Sequence, residues 1–200
     1  MNSSTVDTGL EGAIVTSATT GARPPRMIPL ASSWTKDPQT GEGWESSTAW
    51  HPRPAELGEE LQALFDAGKE EVFEDGMESE FSAGLVALIS RYRNDALAEL
   101  AYFIVYEKVN AEVASEALRW LGLINHPSSY QWRLWLLERS LRCSSARVRD
   151  GASLGIAFLG DSDAIPYIKH AIQQEPVKEL REDMQQVLLQ LESSHRCRTS

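Results

Sequence analysis

Histidines, cysteines, acids and arginines are the side chains of this chain that could do chemistry, and their spacing narrows what that chemistry can be. The four histidines stand in His51-Pro52, His126-Pro127, His170-Ala171 and His195-Arg196. No two of them share the spacing that a pair of ligands on one helix needs, so no metal site and no cofactor is expected. The two cysteines, Cys143 and Cys197, have neither metal-ligand nor redox spacing, and read as reduced thiols. Neither a glycine-rich phosphate loop nor a Gly-x-Ser-x-Gly nucleophile elbow is expected. Glu112 and Glu116 are four apart on a helical pattern and read as a solvated pair rather than a catalytic one. His126 reads as a turn residue and His170 as a surface helix residue.

One cluster has a recognition chemistry. Arg133, Arg139, Arg142, Arg147 and Arg149 gather around Cys143, and guanidinium forks of this kind grip phosphate or carboxylate. Glu138 and Asp150 lie among them, so intramolecular bracing competes with ligand binding. Arg139, Arg142, Arg147 and Arg149 are kept as candidates for contact with a partner. Trp132 and Trp135 join them: three residues apart, they share a helix face beside Leu134 and Leu137. Trp120 reads as core.

Three further tryptophans, Trp34, Trp44 and Trp50, lie in a segment of different character. Residues 1–54 are rich in Ser, Thr, Gly and Pro, and turn-prone pieces such as Arg23-Pro24-Pro25 and Asp37-Pro38 break any period. The segment reads as an irregular N-terminal tail whose tryptophans are anchors, against either the chain's own body or another protein.

These residues sit in a chain of 200, enough for one domain and a tail, with 42% apolar residues, enough for a real core. The net charge of −10 is uneven: −1 over residues 1–54, −9 over 55–80 and 0 over 81–200. Such a balance disfavours nucleic acid and anionic lipid, so neither is an expected partner. No run of about 18 apolar residues offers a membrane span, and the start has no signal-peptide character. A cytoplasmic location is expected.

From residue 55 onward the period is helical. Val148, Ala152, Gly155, Ile156 and Leu159 fall at offsets 0, 4, 7, 8 and 11, one face of a helix. The same offsets recur from Phe81, from Val113 and from Leu180. The last three copies are preceded by shorter stripes: Leu97, Leu100 and Ile104; Leu134, Leu137 and Leu141; Ile165, Ile168 and Ile172. Leu57, Leu61, Leu64 and Phe65 suggest one more leading helix. Ser145 and Asp163 stand at expected N-caps. The pattern predicts an all-α stack of about three and a half helical hairpins over residues 55–192, followed by a short C-terminal tail, 193–200.

The run from Val148-Arg149 through Leu159-Gly160-Asp161 to Ile165-Pro166 closely resembles the HEAT-repeat pattern, in which a Val-Arg pair opens the second helix of a hairpin. Leu180-Arg181 matches that pair, whereas Val113-Ala114 lacks the arginine. The resemblance covers roughly residues 78–192 and implies an α-solenoid that works as a non-catalytic scaffold, adaptor or regulator of a partner protein. Enzymes of this fold are a second possibility. Its di-iron hydroxylases carry His-Glu dipeptides, absent here, and its DNA glycosylases need a basic groove, whereas this repeat region is neutral. The alternative that stays open is a bilin lyase-like or chaperone-like subunit of a chromophore-attachment system.

Overall fold

A computed structural model of the chain describes residues 55–74 and 77–199. The tail tryptophans Trp34, Trp44 and Trp50 lie outside the described residues. All regular structure among the described residues is helical. The helices are α1 (Ala55–Gly68), α2 (Glu80–Tyr92), α3 (Asn94–Val105), α4 (Ala111–Leu123), α5 (Tyr130–Ser140), α6 (Ala146–Leu159), α7 (Ile165–Gln174) and α8 (Lys178–Thr199). None is long and apolar enough to cross a membrane.

Local chemistry sets the helix ends. Ser79 and Ser82 form a reciprocal capping box ahead of α2, each hydroxyl accepting from the other's backbone N–H, at 3.1 and 2.8 Å. Asn110 caps α4 through the Glu112 N–H at 2.8 Å, and Ser145 caps α6 as its position predicts. The expected cap at Asp163 is corrected. The carboxylate that accepts is Asp161, from the Asp163 N–H at 2.9 Å, and Asp163 itself lies within a single 3-10 turn, Ser162–Ala164, that leads into α7. Gly160 ends α6 at φ +65°, a conformation in which glycine carries no Cβ penalty.

The apolar stripes face inward as their period requires. Leu57, Leu61, Phe65, Phe81, Leu85, Ile89, Leu97, Leu100, Ile104, Val113, Leu121, Leu137, Ile156, Ile168, Met184 and Leu191 are all buried in one core. The leading helix expected at Leu57 forms as α1 and packs on α2 and α3. Along the chain α2 touches α4, α4 touches α6 and α6 touches α8, while α3 touches α5. The final helix continues through Thr199, so residues 193–199 are helical.

The tightest packing is between α4 and α6. A Cβ built on Gly151 would stand 2.6 Å from Ser115 Cα, and one on Gly122 would stand 2.9 Å from Gly155 Cα and run into its carbonyl. Gly155 meets the Leu118 carbonyl. The register rises in both helices together, Ser115 by Gly151 and Leu118 by Gly155, so the two run parallel with their backbones in contact. Three glycines in helix interiors cost helix propensity. The close approach returns dense van der Waals contact along both backbones.

Candidate binding groove between α6 and α8

The arginine cluster is mostly engaged in holding helices together. Arg133 is buried; its Nη1 donates to the Leu121 carbonyl at 2.7 Å and its Nε to Ser129 Oγ at 3.2 Å, satisfying a carbonyl near the end of α4. Arg149 donates from Nε and Nη2 to the two oxygens of Glu175 at 2.6 and 2.7 Å, and from Nη1 to the carbonyls of Cys143 and Ser144. Arg181 adds a bond to the Glu175 carbonyl at 2.8 Å. The Arg149 fork, with a hydrogen bond from the Val177 N–H, holds the Glu175 carboxyl below its usual range. Arg147 bridges Glu112 of α4 at 2.6 Å and Asp150 of its own helix at 2.9 Å. Arg139 and Arg142 are exposed and make no ion pair among the described residues.

Glu116 departs from its expected solvation. It is 6% exposed and accepts from Arg119 Nε at 2.8 Å, Arg119 Nη2 at 2.6 Å and Trp120 Nε1 at 2.6 Å. A donor three residues on and another four residues on let a carboxylate be buried with its oxygens satisfied. Trp120 is thereby half-buried rather than fully core. Trp132 and Trp135 are half-buried too, edge to face with centroids 5.7 Å apart.

Two concavities among the described residues bear on function. The first, about 320 Å³, is lined by Glu138, Arg142, Cys143, Tyr167, His170 and Glu175, among others. His170 is exposed on α7, as its position predicts. Burial, reinforced by Glu107, pushes the Cys143 thiol up, so it is protonated at neutral pH and a poor nucleophile. Burial, with Asp163 adding to it, pushes Glu138 up to about 7. Among the described residues no three His, Cys, Asp or Glu side chains gather closely enough to hold a metal ion.

The second, about 430 Å³, lies between α6 and α8 and is lined by Asp150, Ser153, Leu154, Ala157, Phe158, Asp183, Gln186, Val187 and Gln190. Leu154 and Phe158, one turn apart on α6, are 36% and 48% exposed. Gln190 Nε2 donates to the Ala157 carbonyl at 3.0 Å and ties the two walls together at one end. The expectation that no Gly-x-Ser-x-Gly run exists is corrected here, because Gly151-Ala152-Ser153-Leu154-Gly155 has that spacing. Its structure is not a nucleophile elbow. Ser153 lies inside a helix rather than on a strand-to-helix turn, is 2% exposed, and borders a groove lined by no histidine. The flanking glycines serve the contact with α4. Among the described residues the buried Ser153 hydroxyl finds no hydrogen-bond partner, and the same is true of Ser140.

The groove escaped the sequence reading because its two walls lie about thirty residues apart in the chain. The signal that existed was Leu154 and Phe158, apolar residues outside the buried offsets of α6. Against known proteins, the chain matches no family model, no curated protein and no solved structure.

Proposed function

We propose that this chain is a non-catalytic protein-binding module, a HEAT-like solenoid whose groove between α6 and α8 receives a segment of a partner protein. The observation that carries this reading is the pair Leu154 and Phe158, large apolar side chains left exposed over a concavity floored by Ala157 and Val187. Apolar side chains lining a concave surface, with polar groups at its edge, form the usual anchor site for a partner's side chain. The successive contacts of α2, α4, α6 and α8 support the solenoid, in which second helices of neighbouring hairpins line one surface. Arg147 and Arg149 act in this reading as braces between helices, and Arg139 and Arg142 remain open for contact.

The test is capture from a host extract with the full chain and with a Leu154→Lys, Phe158→Asp variant. Both substitutions fall on exposed positions, so circular dichroism and the melting temperature should be unchanged. A partner retained by the native chain and lost by the variant supports the reading. Identical captured sets contradict it.

A further inference from the structure

The α6–α8 groove has a direction. Along α6, Asp150, Leu154 and Phe158 follow one another at four-residue steps on one face. Along α8, Glu179, Asp183, Gln186 and Gln190 follow at steps of four, three and four residues, also on one face. Asp150 and Asp183 line the groove together, and Gln190 reaches Ala157, so both helices run the same way along it. One end is therefore acidic and the other apolar. Asp150 shares its charge with Arg147. Asp183, and Glu179 one turn before it, are exposed and make no ion pair among the described residues. No lysine or arginine lines the groove. Between the two ends lie the exposed Gln186 and Gln190 amides, groups that can bond a peptide backbone.

We infer that the groove selects a peptide segment carrying a lysine or arginine and, a few residues away, a large apolar side chain. This rests on the protein-binding reading and adds the chemistry of what is bound. The cation lies by Asp183 and the apolar side chain packs against Phe158, Leu154 and Val187. Asp150 and Phe158 are eight residues apart on one helix, which is about 12 Å at the α-helical rise. An extended peptide covers that distance in about three to four residues. The volume of about 430 Å³ accommodates a bulky side chain and its neighbours rather than a folded domain.

The experiment is selection of short random peptides displayed on phage against the immobilised full chain, with Asp183→Lys and Phe158→Asp as parallel targets. Enriched peptides should pair Lys or Arg with Leu, Phe or Trp three to four residues away. Synthetic copies should lose about tenfold in affinity on Asp183→Lys, the size expected for one charge-assisted contact, and bind undetectably to Phe158→Asp. A pool enriched without a basic residue, or equally well bound by Asp183→Lys, overturns the inference and leaves the protein-binding reading standing. A pool that never enriches overturns both.

Discussion

Arg149 holds Glu175 by two parallel hydrogen bonds, at 2.6 and 2.7 Å, and the Glu175 side chain is 1% exposed. The pair ties α6 to the turn between α7 and α8, and the remaining Arg149 nitrogen secures the turn before α6 through two carbonyls. Removing the arginine strands a buried carboxylate. Arg149→Met should cost about 3–5 kcal/mol, and Arg149→Lys should recover only part of it, because an ammonium cannot make the fork. Chemical denaturation measures both. A loss below about 1 kcal/mol for Arg149→Met would contradict the role assigned to the pair.

The glycines of α4 and α6 give a paired prediction. A methyl group at Gly122 meets the Gly155 backbone, which cannot yield without parting the helices, so Gly122→Ala should destabilise by about 1–3 kcal/mol or more. Gly84→Ala meets only the end of the flexible Leu64 side chain, 2.7 Å away, and gains helix propensity. Its melting temperature should stay level or rise. Equal effects of the two substitutions would mean that α4 and α6 are not in backbone contact.

Glu138 gives a pH prediction of definite sign. Its carboxyl is raised to about 7 in the fold, chiefly by burial, so the folded state binds the proton more tightly than the unfolded chain does. Stability from this group is present at low pH and is lost as pH rises from the unfolded value near 4.3 through about 7. Glu138→Gln should therefore be more stable than the native chain at pH 8, by about 1 kcal/mol once partial exposure is discounted, and should show no such gain at pH 4. Melting temperatures of both proteins across that range check it. A gain confined to low pH would reverse the assignment.

Legibility in the sequence followed locality. The stripes of Val113, Val148 and Leu180 were readable because burial repeats with the helix turn, and all three residues are buried. Ser145 was readable as a cap for the same reason, since its partner is three residues on. Asp163 misled because Asp161, two residues earlier, caps a 3-10 turn that periodicity does not announce. Gly155 was readable as part of the α6 stripe, whereas Gly122, outside the α4 stripe, looks like a helix weakness until the opposing backbone is seen. Glu116 looked solvated because only the fold buries α4 deeply enough to require its bonds with Arg119 and Trp120. The groove joins residues of two helices, and no spacing along the chain brings Phe158 to Val187.

The charge pattern carries a prediction about nucleic acid. With Arg147 and Arg149 committed to ion pairs and residues 81–200 neutral overall, the full chain should show no sub-micromolar binding to duplex DNA at physiological salt. Tight, salt-sensitive binding abolished by replacing Arg139 and Arg142 would show that these two exposed guanidinium groups dominate instead.

The measurement that bears most directly on the protein-binding role is site-specific photo-crosslinking in the native host. A benzophenone amino acid is placed at Phe158, in the groove, or at Val72, an exposed apolar position outside the groove. The account predicts one recurrent protein adduct from position 158, reduced by an added selected peptide and absent from position 72. Adducts of equal pattern from both positions, or none from position 158 in a folded and expressed chain, would contradict it.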